Sequence, residues 1–315
     1  MRVSAINFLP QLKTYKTTAN SISFKKSYDV YQVKKDLAQA IENKDFKRIF
    51  DYFGMRYQED KDGFLTLDNY HQPGDCLDFW QLGINEDDIF QKVKKISGNA
   101  VFDNRSRATT LGALEEIGGS VNFRLSKVAD LGSLKKIGGS ADFAHSNMKS
   151  LKNLERIGGN AYFEYSEIDD LGKLQEIGGL ARFCRSRIES LGELKRIGGD
   201  AGFGVTKIKS LGKLQEIGGD VGFEHSEVED LGALYRIGGD VEFRKSKVRD
   251  LKNLAVVGGN VDLRQSVVGD IGMLQRVGGK IYLDYPEIDR EVLQRALKRE
   301  SLIKELNGNY TIEEM

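Results

Sequence analysis

Three aspartates, Asp200, Asp220 and Asp240, recur at intervals of twenty residues. Stacked in register, like charges repel one another, so such a column would attract a cation or a basic partner. The competing role is structural, because an Asp side chain commonly bonds backbone groups of an adjoining turn. Close by in the same periodic frame lie Gly202, Gly204 and Gly222. Glycine inside a strand weakens it and marks close approach by another backbone or a ligand. Tyr162, Glu164, Arg182 and Cys184 flank these glycines on one side, and Glu242 and Arg244 on the other, with Tyr165 and Arg185 as a rim. Tyr and Arg are the side chains most enriched at the energetic centres of protein interfaces. These eleven residues form the candidate partner-binding site.

Catalytic chemistry finds less support. Serine recurs with the same period at Ser126, Ser146, Ser166, Ser186, Ser226, Ser246 and Ser266, with Thr206 taking the fifth place. A nucleophile needs a paired base, and none recurs beside these hydroxyls. His71, His145 and His225 show no ligand spacing. His145 and Cys184 fall two repeats apart, roughly 10 Å by strand spacing, too far for a working dyad. Asp60–Leu65 faintly resembles a calcium loop, but Gln58 and Asn69 would fill the first and last ligand positions, both wrong for strong binding. A hairpin turn is expected there. No cofactor is expected, and the three aspartates are only weak metal candidates.

The element that positions these residues is a unit of twenty residues, repeated nine times without slippage from Leu111 to Arg290. Each copy reads close to Leu-Gly-x-Leu-x-x-Ile-Gly-Gly-x-Val-x-Phe-x-x-Ser-x-Val-x-Asp. Such self-similarity marks a solenoid, a fold that offers a long surface more often than a catalytic pocket. Positions 11 and 13 are apolar between variable neighbours, which predicts a short strand over positions 10–14 with Phe inward. Parallel stacking at ~4.8 Å per strand would then line up one side chain per coil from Phe123 to Leu283. Apolar positions 18, 1, 4 and 7 are spaced by three, which suits 3₁₀ or extended turns. The Gly-Gly at 8 and 9 is expected to turn the chain, with at least one glycine at positive φ. The Ser at 16 is expected to point inward and bond backbone groups of adjacent coils.

The half-unit Val-x-Phe-x-x-Ser-x-Val is similar to the leucine-rich-repeat pattern Leu-x-Leu-x-x-Asn-x-Leu. The Leu-x-x-Leu-x-x-Ile-Gly-Gly half resembles receptor L-domain repeats and short bacterial leucine-rich repeats. The resemblance covers Phe90–Arg290, about two thirds of the chain. It departs where Ser replaces the ladder Asn and where Gly takes the first strand Leu, so a straighter parallel β-helix stays open beside a horseshoe. The resemblance implies protein or ligand binding on the exposed sheet face and no shared reaction.

The rest of the chain divides around this array. Residues 1–28 carry Arg2, Lys13, Lys16, Lys25 and Lys26 with no acid, and read as a basic tail. Residues 29–89 form a capping head: a helix over Asp29–Lys44, a second over Asp45–Phe53, a hairpin over Arg56–Asp68, and a helix start at Asn85. Phe79 and Trp80 are expected to cover the first coil. Phe90–Thr110 reads as a degenerate first coil of the solenoid, which runs over 90–290. Residues 291–315 suit a capping helix and tail after Pro286.

Lys plus Arg equals Asp plus Glu, at 47 each, which gives no reason to expect nucleic acid as a partner. No apolar stretch approaches the ~18–20 residues that span a bilayer. Two cysteines far apart, Cys76 and Cys184, fit neither a disulfide framework nor a zinc site and favour a reducing, cytoplasmic setting. The expectation is a mainly β repeat solenoid of about ten coils, non-enzymatic, that binds a protein partner on its exposed sheet face. An effector or surface protein exported through the basic tail is the alternative. An enzyme with its activity in residues 29–89 is a third reading, but that head holds no dense set of acids, bases or metal ligands.

Overall fold

A computed structural model describes residues 30–52, 55–70 and 85–282. The repeat builds a parallel β-solenoid of about nine coils of twenty residues. Each coil contributes two short strands. One covers positions 11 and 12, from Val121–Asn122 to Ile281–Tyr282. The other covers positions 6 and 7, from Glu116–Ile117 to Arg276–Val277. Every strand pairs in parallel with the same strand one coil away, so residue i meets residue i+20 throughout the array. Two sheets result, one of ten strands and one of twelve.

The core between them follows from the apolar spacing. Positions 1, 4, 7, 11, 13 and 18 point inward in coil after coil, as Leu171, Leu174, Ile177, Ala181, Phe183 and Ile188 show. The phenylalanines stack into one column from Phe102 to Phe243 with ring centroids 5.2–5.4 Å apart, and all eight are fully buried. Leu263 continues the column, and Leu283 lies outside the described residues.

Three local expectations need correction. The three-residue spacing does carry i→i+3 turns between positions 1 and 4, as from Leu174 N–H to Leu171 O at 3.2 Å, but position 7 joins position 6 in a second sheet that the spacing does not suggest. The Gly-Gly pair does not adopt positive φ. Left-handed backbone falls instead at position 2, as in Gly132 (φ 57°), and at position 15, as in Tyr165 (φ 58°). The paired glycines answer a demand for contact. A Cβ on Gly218 would overlap the carbonyl oxygen of Gly198 one coil below, and one on Gly219 would overlap Oδ1 of Asp200. From Ser126 to Ser246 the hydroxyl residue at position 16 is buried as expected, but where its hydroxyl bonds in these regular coils it does so within its own coil: Ser126 Oγ accepts from Val128 N–H at 3.0 Å. The hydroxyls of Ser146, Ser166, Ser226 and Ser246 have no hydrogen-bond partner among the described residues.

The head extends this scheme. Helices α1 (Val30–Glu42) and α2 (Phe46–Tyr52) precede a hairpin of β1 (Tyr57–Glu59) and β2 (Leu65–Leu67). Asp60 Oδ1 accepts from the N–H groups of Asp62 and Phe64, and Gly63 turns at φ 80°, so the acidic segment is a turn. Strand β2 pairs in parallel with β3 (Val93–Ile96), which makes the hairpin the first two strands of the larger sheet. Asn85 caps α3 (Glu86–Ile89) by accepting from Asp87 N–H. The buried Glu86 carboxylate accepts from Tyr70 Oη at 2.7 Å, Ser106 Oγ at 2.6 Å and Arg107 N–H at 2.9 Å. Burial, then this carboxylate, hold the Tyr70 phenol well above its ordinary value. Phe102 of the degenerate first coil stacks on Phe123, so the column begins there. The expectations for residues 1–28, Phe79, Trp80, Pro286 and the helix after it lie outside the described residues.

Candidate functional site

Position 12 points outward from the ten-stranded sheet. Pairing sets Tyr162, Arg182, Gly202, Gly222, Glu242 and Asp262 side by side in one row across six coils. Two adjacent glycines remove two side chains from the middle of that row. The result is a depression of about 480 Å³ bounded by Glu164, Arg182 and Cys184 on one side and Glu242 on the other. Its glycines differ in their reasons. A Cβ on Gly202 would approach Cys184 Sγ at 3.0 Å, whereas one on Gly222 would meet nothing within 4 Å. Gly222 is therefore not demanded by packing, and the space above it belongs to the depression.

Asp200, Asp220 and Asp240 line the same depression, because position 10 lies two residues before position 12 on the same strand face. Their placement has a structural cause. Asp200 Oδ1 accepts from Asp220 N–H at 2.9 Å, Asp220 Oδ1 from Asp240 N–H at 2.8 Å, and Asp240 Oδ1 from Asn260 N–H at 2.6 Å. Ser120, Ser140, Asn160 and Asn260 make the same bond to the coil above. The inter-coil ladder expected of the position-16 serines thus runs through position 10, and the aspartates do not cap their own glycine turn. Leu180 interrupts the ladder at the margin of the depression, where it offers no side-chain acceptor. Among the described residues, no group of three or more His, Cys, Asp or Glu is placed to hold a metal ion.

Five carboxylates, of Glu164, Asp200, Asp220, Asp240 and Glu242, face one guanidinium, that of Arg182. Arg182 Nη1 lies 3.9 Å from Glu164 Oε1. The site is therefore a negative concavity in a chain of zero net charge. Its acidity is what the residue types alone did not disclose. The glycine gap and the aspartate column were each visible in the repeat, but their merger depends on the position-10 side chains standing beside the gap.

Not every candidate residue enters the depression. Glu164, Arg182, Cys184, Gly202, Gly222 and Glu242 line it, while Tyr162, Tyr165, Arg185, Gly204 and Arg244 do not. Tyr162 flanks Arg182 in the same row, and its Oη accepts from Asn160 Nδ2 at 3.2 Å. Tyr165 and Arg185 stand on a separate ridge along the left-handed corner at position 15. There His145 stacks on Tyr165 with centroids 5.0 Å apart, and Arg185 Nη1 donates to Tyr165 Oη at 2.6 Å. That bond raises the Arg185 pKa above its ordinary value. Tyr165 and Val205 expose about half their surface, at 49% and 56%. The ridge thus carries apolar and planar groups beside an acidic hollow.

The opposite sheet has another character. At position 6, Glu176 pairs with Arg156 at 2.9 Å and Arg196 at 3.6 Å, and Glu216 pairs with Arg196 and Arg236 at 3.3 and 3.4 Å. These are solvated ladders of alternating sign, each pair worth little. No helix among the described residues is long and apolar enough to cross a membrane. Compared with known proteins, the chain matches no family model, no curated protein and no solved structure.

Proposed function

We propose that this chain is a non-enzymatic protein-interaction scaffold that holds a partner protein on the outer face of its ten-stranded sheet. The observation that carries this reading is the depression over Gly202 and Gly222, flanked by Tyr162 and Arg182 in an otherwise filled row of side chains. Concave surfaces of this kind, with an aromatic and an arginine at the margin, suit an interface centre. The leucine-rich-repeat relation remains part of the reading. It is supported by the strand at positions 11–12, the inward Phe and the buried Ser that follows. A reducing, cytoplasmic setting fits the free thiol of Cys184. Neutral overall charge favours protein over nucleic acid as the partner.

Replacing Arg182 by Glu together with Tyr162 by Ala tests this reading. Proteins retained by the immobilised full chain should fall about tenfold or more with the double variant, the scale of one lost interface hot spot. The thermal unfolding midpoint should stay nearly constant, because Arg182 is exposed and Tyr162 stands outside the core. Unaltered retention rejects the assignment.

A further inference from the structure

Four acids of the depression, Asp200, Asp220, Asp240 and Glu242, take part in no ion pair among the described residues. Asp250 and Asp270, in register at position 20, also take part in no ion pair among the described residues, but several other acids of the array do. Glu116, Glu176 and Glu216 on the twelve-stranded sheet are each bridged by Lys or Arg from neighbouring coils. Glu167 and Glu227 at position 17 are bridged in the same way. Carboxylates in register repel across a sheet, and within a concavity water screens them less than on an open face. The depression therefore has the charge and the room for a cationic segment that the coils themselves do not supply.

The chain carries such a segment. Residues 1–28 hold five cations, Arg2, Lys13, Lys16, Lys25 and Lys26, and no acid. Because Lys plus Arg and Asp plus Glu are equal at 47, residues 29–315 hold an excess of five acids. The depression, with five carboxylates against one guanidinium, concentrates four of these charges. Reach is no obstacle. Neighbouring coils lie ~4.8 Å apart, so Gly202 and Gly222 stand about 24 and 29 Å along the axis from the first coil. An extended stretch of 28 residues spans about 90 Å. Tethering also raises the local concentration of the segment to the order of millimolar, so weak contacts suffice to keep it seated.

We propose that residues 1–28 dock in the acidic depression of their own chain, with the ammonium groups of Lys13 and Lys16 against Asp220, Asp240 and Glu242. The docking needs no outside partner. Where a partner uses the same face, the tail competes with it, and only that consequence rests on the proposed interaction role.

Zero-length carbodiimide coupling of the full chain, read by peptide mass spectrometry, tests the docking. Lys13 or Lys16, far enough from Val30 to span the distance, should couple to Asp220, Asp240 or Glu242 within single molecules. In the variant Asp200→Asn, Asp220→Asn, Asp240→Asn, Glu242→Gln, protection of the tail lysines from acetylation should fall by about fivefold, as expected for the loss of several weak ionic contacts. Asn already serves in the ladder at Asn160 and Asn260, so this variant keeps its inter-coil bonds. About 1 M salt, which shortens the screening length to ~3 Å, should expose the same lysines in the unaltered chain. Couplings spread evenly over Glu116, Glu155 and Asp270 would overturn the proposal. So would lysine protection that the variant leaves unchanged, or couplings found only between isotopically distinct copies, which would make a second copy the occupant.

Discussion

Alanine at Phe183 is expected to lower the unfolding free energy by about 3–5 kcal/mol, the cost of truncating a fully buried phenylalanine. Its ring sits 5.2 Å from both Phe163 and Phe203 and is fully buried. The loss removes apolar burial and leaves a cavity that the hydrogen-bonded strands above and below cannot collapse to fill. Because each coil touches only its neighbours, the damage falls on the two interfaces beside coil 183. The variant should therefore also uncouple the two halves of the array and broaden a single denaturant transition into two. Phe183→Leu should cost less, about 1–1.5 kcal/mol, as a near volume-conserving exchange. Leu263 shows that the column accepts that side chain. Equilibrium guanidinium unfolding reads both effects, and a change under about 1 kcal/mol for alanine would contradict a close-packed spine.

The second large effect separates two glycines only four residues apart. Alanine at Gly218 should destabilise the chain by about 3 kcal/mol, at the upper end of overpacking costs. Its methyl would overlap the Gly198 carbonyl, so the coils must part there. Parting them strains the bonds from Gly218 N–H to Ile197 O at 2.8 Å and from Gly219 N–H to Gly199 O at 3.0 Å. Alanine at Gly222 meets open space and should stay within about 0.5 kcal/mol of the unaltered chain. The same Gly222→Ala change intrudes on the depression, and Gly222→Trp would fill much of it. Matched thermal melts of the two alanine variants decide the point. Equal losses would mean that the paired glycines serve some purpose other than contact between coils.

The contrast shows what the repeat disclosed and what it concealed. The strand at positions 11–12 was legible because Val and Phe alternate with polar neighbours, and one inward Phe per coil then dictates the column. The degenerate first coil was legible for the same reason, since Val101, Phe102 and Ser106 keep the pattern across one inserted residue. The second sheet was not, because its strands are two residues long and bury only one of them, such as Ile177 beside Glu176. A single inward residue leaves no alternation to read. Glycine at positions 8 and 9 suggested a turn at positive φ, yet the demand comes from a backbone that lies twenty residues away in sequence. Likewise the ladder depends on whichever polar side chain stands over the next coil's N–H. That proved to be position 10, with Ser, Asn and Asp used in turn. The candidate site was half legible. The missing side chains at Gly202 and Gly222 gave its place, while its charge emerged only once the Asp200, Asp220 and Asp240 column stood beside them.

The most direct test measures the rise of the array in solution. Spin labels on cysteines introduced at Lys127 and Lys207, or at Lys127 and Lys247, occupy one exposed position four and six coils apart, with Cys76 and Cys184 changed to Ser. Stacked coils place these pairs at about 19 and 29 Å, rising by ~4.8 Å per twenty residues. Pulsed dipolar distances that grow linearly at that rate are the predicted result. Distances that fail to grow with coil number, or that grow by a full helix diameter of about 10 Å per unit, would contradict the stacked spine and remove the sheet face that the proposed binding requires.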